Sequence, residues 1–263
     1  MRIIYKGDDF LLAAERKKRI VDYVRQYRTA TVAMLAKEFN VHGATIRRDL
    51  AEIEMEGILK RTHGGVIIEQ WTHDEPSFNE RSSQQLDEKI RIGKLAASLV
   101  EDGENIIIDS GTTTLHIASH LVHRNNITVI TNDINVAAVL RDARGIKVIL
   151  TGGELYPSSY MLNGMLTDHV LKSLHVEKAF IGTPALHPKH GLMHPEALLV
   201  PAKQGMITAA GEIIVVTDHS KLGKLSLHTV APNSSIHTLI TGNEASEFDV
   251  QPFEDQGVLV YRV

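Results

Sequence analysis

The chain has 263 residues, no cysteine, a net charge of −4 and 43% hydrophobic residues. Without Cys, disulfides and thiolate metal sites are excluded. The ordinary apolar and charged fractions exclude wholesale disorder, and no apolar run approaches the roughly 18 residues that cross a bilayer.

Met1 to Asp9 mixes charges among few apolar residues and lacks the apolar core of a secretory signal, so the cytoplasm is the expected location. No role is assigned to residues 1–12. The length suits a small module plus a medium one. Charge is uneven between them: Arg16 to Ile68 carries 11 Lys/Arg against 6 Asp/Glu, a balance of +5, which leaves −9 on the remainder. A basic module on an acidic body suits a DNA reader with a separate sensing domain. A solvated helix surface produces the same excess.

Residues near 12–27 read as a helix with Leu12, Arg16, Ile20, Val24 and Tyr27 close to one face. Thr31 can cap a second, short helix in which Val32, Leu35, Ala36 and Phe39 recur at helical spacing, and Asn40 breaks it. A third helix starts near Gly43. Its Ile46, Leu50 and Ile53 share a buried face, and Thr45, Arg47, Arg48 and Asp49 are expected to turn outward. Gly57 accepts the left-handed cap conformation and ends it. Two short helices with a tight break, the second carrying Arg-Arg near its start, form a helix-turn-helix whose second helix fits the major groove. The run from Ile58 to Ile68 places His63-Gly64-Gly65 between two β-rich stretches. That is a hairpin, and a basic hairpin after a recognition helix is a wing. Lys60, Arg61 and His63 are then expected near a phosphate or the minor groove.

The string Val41-His42-Gly43-Ala44-Thr45-Ile46-Arg47-Arg48-Asp49-Leu50, followed by Gly57, Arg61 and His63-Gly64-Gly65, resembles the DNA-binding domain of the DeoR family of bacterial regulators. Arg16, Ile20 and Val24 fit the same pattern. The resemblance implies that His42, Gly43, Ala44, Thr45, Arg47, Arg48, Lys60, Arg61 and His63 meet a double-stranded operator. His42 stands where the family usually has Ser. A hydroxyl would cap the recognition helix, and a neutral imidazole caps it poorly, at about 1 kcal/mol. The ring is therefore expected toward a phosphate instead.

The polar stretch 69–88, with one Pro and little periodicity, reads as a connector between domains at 13–68 and 89–263. Trp71 and Phe78 are expected to anchor it by packing. Lys89 to Val100 looks helical. Beyond it, β-branched runs at 105–108, 127–130, 147–150, 179–181, 213–216 and 238–240 each end in small polar residues. Strands alternating with helices imply a mostly parallel sheet covered on both faces. Such sheets bind ligands beyond the carboxyl ends of their strands. The richest end is Asp109-Ser110-Gly111-Thr112-Thr113-Thr114, where Gly111 admits a close approach and hydroxyls and helix N–H groups donate to an anion. It is not a Walker loop, because no Lys follows at the required spacing. Thr131, Asn132, Gly152, Gly153 and Lys221 are expected to complete the site, with Glu196 and Lys203 as weaker candidates. Tight βα turns alone also explain any one of these loops.

The strings at 109–113, 131–132, 152–153, Phe180-Ile181-Gly182 and Asp218-His219-Ser220-Lys221-x-Gly223 match the sensor domain of the same family in order. This resemblance spans nearly the whole chain from Ala13. It implies an isomerase/CoA-transferase-like α/β sensor domain that binds a small phosphorylated sugar or related metabolite. The family's usual Thr-Asp after the late strand is here Gly242-Asn243. His187, His190 and His194 lie among Pro188, Gly191 and Pro195, which argue against a helical metal site, so they are expected to face solvent or ligand. No metal and no cofactor is expected.

The combined reading is a repressor of a carbohydrate-utilisation operon, acting as a homodimer or homotetramer without a membrane partner. The rival is an enzyme, an isomerase-like sugar-phosphate catalyst with Asp109 or Asp218 as base and Lys221 stabilising an enediolate. The winged module would then have no purpose.

Overall fold

The computed structural model describes residues 12–27, 29–55, 58–62, 64–67 and 70–263. Met1 to Asp9, Gly57, His63 and Ile68, all singled out in the sequence, lie outside the described residues. The chain divides into two compact units, Met1–Glu69 and Gln70–Val263.

The smaller unit runs α1 (Ala13–Tyr27), β1 (Thr29–Thr31), α2 (Val32–Glu38), α3 (Gly43–Met55), β2 (Lys60–Thr62) and β3 (Gly65–Ile67). Its core is Ile20, Val24, Leu35, Ile46, Leu50, Ile53, Leu59 and Val66, which is the face that helical spacing predicts. Thr31 caps α2 by accepting from the Met34 N–H at 3.0 Å, and Asn40 takes a positive φ of 49° to end the turn. Two end residues depart from expectation, since Leu12 and Tyr27 are exposed. The wing is also larger than a hairpin: β1 joins it in the order β1-β3-β2, antiparallel throughout. Gly65 is required there, because a Cβ would collide with the Ala30 carbonyl oxygen.

Asp49 reverses its expected orientation. It is buried, and Arg16 donates to both its oxygens, Nε to Oδ2 at 2.6 Å and an Nη to Oδ1 at 3.1 Å. A carboxylate can sit on the inner face of α3 because the guanidinium fork of α1 meets it there with matching charge and geometry.

The larger unit begins with β4 (Gln70–Thr72), α4 (Phe78–Ser83) and α5 (Leu86–Ser98). Then come β5 (Asn105–Ile108), α6 (Thr114–Leu121), β6 (Ile127–Thr131), α7 (Ile134–Leu140) and β7 (Ile146–Leu150). A hairpin of β8 (Glu154–Tyr156) and β9 (Met161–Asn163) precedes α8 (Met165–Lys172) and β10 (Val176–Ile181). Next are β11 (Ala185–His187), β12 (Gly191–His194), α9 (Val200–Ala209) and β13 (Ala210–Val216). The chain closes with β14 (Lys224–Ser226), β15 (His228–Ala231), β16 (Thr238–Thr241), α10 (Glu247–Glu254) and β17 (Leu259–Arg262).

The main sheet has seven strands in the order β17-β16-β13-β10-β5-β6-β7, every pair parallel. Six are the β-branched runs seen in the sequence, and β17 adds an edge. Successive residues alternate between two cores. Ile107, Ala179, Ile181, Ile213, Val215 and Leu239 face one side, where Ala202 and Met206 of α9 and Phe253 of α10 also lie. Ile106, Ile108, Phe180, Ile214, Val216 and Ile240 face the other, with Ile92 of α5, Ile117 of α6 and Val136 of α7. Burial on both faces is why these strands read as continuous apolar runs.

The stretch expected as a connector is structured from Gln70 onward and belongs to this unit. Its β4 pairs in parallel with β14. A capping box starts α4: Ser77 accepts from the Glu80 N–H while Glu80 accepts from the Ser77 N–H. Buried Phe78 packs edge-on to Tyr160 at 5.6 Å between centroids.

His187 and His194 are buried on the strands β11 and β12, not exposed on a loop, while His190 sits exposed at the turn between them. No helix among the described residues is long and apolar enough to cross a membrane.

Candidate functional sites

On the smaller unit, the expected base-reading residues occupy the start of α3. His42, Ala44, Arg47 and Arg48 are exposed, Gly43 and Thr45 partly so. Arg47 makes no ion pair among the described residues, while Arg48 lies 3.5 Å from Glu52 on the same helix, a contact worth little at an exposed site. Two exposed guanidinium planes on the N-terminal half of such a helix can grip phosphates or guanine edges.

The imidazole of His42 does cap the helix, contrary to expectation. Its Nδ1 accepts from the Ala44 N–H at 3.3 Å. That bond requires Nδ1 to be unprotonated, so the proton sits on Nε2, which remains a donor for a phosphate. Lys60, Arg61 and Thr62 of the wing strand are exposed. The strand is pinned beside α3 by the Arg61 N–H donating to Glu54 at 2.9 Å.

The larger unit holds a cavity of about 300 Å³. Its floor is the carboxyl end of the sheet: Ser110 to Thr114 after β5, Gly182 to Pro184 after β10, and Val216 to Asp218 with Lys221 after β13. Gly111, at φ 152°, lets the loop turn sharply into α6. Its N–H donates to Asp133 at 3.2 Å and its carbonyl accepts from the Thr114 hydroxyl at 3.0 Å. Thr113 sits at the N-cap without a side-chain cap bond, while the N–H groups of Leu115 and His116 in the first turn of α6 donate to the Gly111 and Thr113 carbonyls at 3.0 and 3.1 Å.

Thr131, Asn132, Gly152 and Gly153 are not brought to the cavity wall. Thr131 accepts from the N–H groups of Thr151 and Asp133, both at 3.0 Å, and the other three bond or pack against the β8–β9 hairpin and α8. Asn132 exchanges bonds with Leu162 at 2.7 and 3.1 Å, and the Thr167 hydroxyl donates to the Gly152 carbonyl at 2.6 Å. A side chain at Gly153 would collide with the Asn163 carbonyl. Asp109 lies just behind the wall, buried, with Oδ2 accepting from Lys203 and from the Gly182 N–H at 3.1 Å. Glu196 does not line the cavity; Lys203 does.

The remaining wall includes Lys203 and His194, which the sequence places near a ligand, and otherwise comes from residues that sequence reasoning missed. Trp71 to Pro76, Arg81, Gln84 and Lys89 all line the cavity, as do His194, Lys203 and Lys224. Glu75 pairs with Arg81 at 2.8 Å and faces Nε2 of His194 at 3.5 Å. Burial pushes the Glu75 carboxyl up, but the His194 hydrogen bond and the charges of Arg81, His194 and Lys203 outweigh it and hold it at about 2. Lys89 donates to the Arg81 carbonyl at 2.6 Å. Burial pulls its ammonium down to about 8, against the pull of Asp218. Asp133, behind Gly111, is raised by burial to about 6 despite its backbone donors.

Glu88, Asp218 and His219 come within 4.8 Å of one another and are the candidate cation set among the described residues. Both Glu88 oxygens are already engaged. Oε1 accepts from the N–H groups of His219 and Gly242 at 2.7 and 3.1 Å, and Oε2 meets His219 Nδ1 at 2.8 Å. The set clamps α5 to the ends of β13 and β16. It also explains the departure at Gly242, where any Cβ would collide with the Glu88 side chain.

Comparison with known proteins follows the same division. A DeoR-like helix-turn-helix domain matches residues 16–71, and a DeoR C terminal sensor domain matches residues 84–243. The HTH-type transcriptional repressor GlcR of Bacillus subtilis is 38% identical over 86% of this chain and 87% of its own. The HTH-type transcriptional regulator GolR of Listeria innocua is 30% identical over 94% of this chain and 97% of its own. Among solved structures, a ribose 5-phosphate isomerase A of Methanocaldococcus jannaschii overlaps 54% of this chain and 56% of its own at 19% identity and a TM-score of 0.40.

Proposed function

The chain belongs to the DeoR family of transcriptional regulators, and from that premise we propose that it is a repressor of a carbohydrate-utilisation operon whose effector is a phosphorylated sugar. Its relatives are helix-turn-helix repressors and regulators, not enzymes. Operator binding is assigned to His42, Gly43, Ala44, Thr45, Arg47, Arg48, Lys60, Arg61 and His63. The effector is assigned to the cavity of the larger unit.

The observation that carries the effector reading is the composition of one cavity wall against another. The hydroxyl-rich loop Ser110 to Thr114 at the start of α6 lines the cavity with Lys89 and Lys221, while Asp74, Glu75 and Asp218 line the same space. The first set suits a dianionic phosphate. The carboxylates suit the hydroxyls of the sugar, because an ionised carboxylate only accepts. About 300 Å³ is at the small end of ligand pockets, which fits a pentose or hexose monophosphate. Half-sites about 34 Å apart per helical turn call for a homodimer or homotetramer. The effector regulates only if it binds one arrangement of the DNA-binding units better than another.

Arg47→Ala and Arg48→Ala are expected to lose operator binding in gel-shift assays while the larger unit stays folded. Unchanged shifts in both refute the recognition helix. For the effector, a thermal-shift screen against pentose and hexose phosphates is expected to find a ligand stabilising the chain by about 2.7 kcal/mol at a hundredfold excess over Kd. If no phosphorylated sugar shifts the transition, the effector reading fails.

A further inference from the structure

The first seven residues of the larger unit, Gln70 to Pro76, follow directly in sequence on the last residue of the smaller one. They form a strap. Its strand β4 is held through β14, with the Ser226 hydroxyl donating to the Thr72 carbonyl at 2.8 Å. Its far end is held chiefly by Arg81, which donates from Nε to the Pro76 carbonyl at 2.8 Å and pairs with Glu75 at 2.8 Å. Six consecutive strap residues, Trp71 to Pro76, also line the effector cavity. A segment that connects two units is thus also a wall of the ligand site.

The charges give that wall a function. The Glu75 side chain is 12% exposed and sits among Arg81, His194 and Lys203, all of which line the cavity. Any anion entering the cavity draws on Arg81 and Lys203 and on the His194 donor, and its own charge repels the Glu75 carboxylate. We propose that Glu75 is the internal competitor of the effector: an anion in the cavity weakens the hold of Arg81 and His194 on Glu75, loosens the strap, and so reaches the DNA-binding unit through the chain itself. The inference rests on the reading of the cavity as an anion site. Linkage makes the effect mutual: the factor by which the anion weakens the docked strap is the factor by which the docked strap weakens the anion.

Trp71 is the only tryptophan in the chain. It is half-exposed on the strap, with its ring nearly parallel to that of His73 at 6.3 Å between centroids. Its emission therefore reports strap docking without a label. The test uses the full chain with inorganic phosphate as the probe, following binding by calorimetry, Trp71 emission, and amide exchange of residues 70–76. Phosphate is expected to bind, shift the emission and raise exchange in 70–76. In Glu75→Gln, exchange is expected to be high before phosphate is added, phosphate to bind roughly five- to tenfold more tightly, and the phosphate-induced change to vanish; Glu75→Asp restores it. Phosphate that binds without moving emission or exchange overturns the coupling and leaves the anion site standing. If phosphate does not bind, the anion site falls and the inference with it. Should Glu75→Gln fail to fold, the wild-type exchange measurement decides alone.

Discussion

Replacing Asp49 by Ala removes the carboxylate that accepts both bonds from the buried Arg16 guanidinium on the inner face of α3. Both side chains are close to inaccessible, at 10% and 5% relative exposure, and the bond is bidentate. Removing one partner of a buried, hydrogen-bonded ion pair costs about 3–5 kcal/mol. A unit of this size has roughly 3–9 kcal/mol of stability in total, at about 0.05–0.15 kcal/mol per residue. Asp49→Ala should therefore unfold the recognition unit or bring it to the edge of unfolding. Amide exchange in the full chain measures this locally: protection across α1 and α3 should drop by about 10²–10³-fold or more, with the seven-stranded sheet unaffected. The double variant Arg16→Met/Asp49→Leu should recover most of the loss, since an apolar pair of similar volume replaces the ions. The reasoning is refuted if Asp49→Ala leaves exchange in α1 and α3 within about threefold of wild type. That result would put the carboxylate outside, where its removal would instead strengthen DNA binding.

Two pH profiles follow from the buried ionisable groups of the larger unit. Phosphate binding favours the ammonium form of Lys89, which is pulled down to about 8, so affinity measured by calorimetry should fall as pH rises above about 8, toward tenfold per unit; a flat profile from pH 7 to 9.5 would remove Lys89 from the site. Asp133 is raised to about 6 in the folded chain against an ordinary 3.8. Between those values the folded state keeps a proton that the unfolded state releases, so its contribution falls by roughly 3 kcal/mol from pH 4 to 6. Glu75, held at about 2, acts in the opposite sense: its contribution is present above about 4.5 and is lost as pH falls toward 2. Thermal melts of wild type and Asp133→Asn separate the two, because the variant should lose the decline between pH 4 and 6 and keep the acid-side loss. An unchanged decline in the variant counts against the assignment.

What was legible in the sequence was whatever local pattern encodes. Ile46, Leu50 and Ile53 share a face because a helix repeats every 3.6 residues, and β5, β6, β7, β10, β13 and β16 stand out because burial on both faces needs unbroken apolar runs. The loop from Ser110 to Thr114 was legible because glycine, hydroxyls and a following helix are adjacent in the chain. The misses share one cause. Asp49 is inside because of Arg16, 33 positions away. Glu75 and Arg81 looked like a solvated connector until His194 and the cavity enclosed them. Ion pairs between distant residues leave no period in the sequence, so charged residues that read as surface become interior only when the fold supplies the partner.

That same pairing constrains how the cavity can work. Lys203 is matched by Asp109, and Arg81 by Glu75. Lys221 makes no ion pair among the described residues. A cavity holding several unpaired cations would be destabilised in its empty state by desolvation and mutual repulsion. The carboxylates therefore keep the unliganded sensor folded, and they also oppose its ligand. Two kinds of pair result. Asp109 is held from a second side by the Gly182 N–H and lies behind the wall, so its pair with Lys203 is fixed by the sheet. Glu75 lies on the strap and lines the cavity, so its pair is the one that an incoming anion can exchange. Stability of the empty state and responsiveness to the effector thus fall to different carboxylates, and only the second is attached to the segment that continues into the DNA-binding unit.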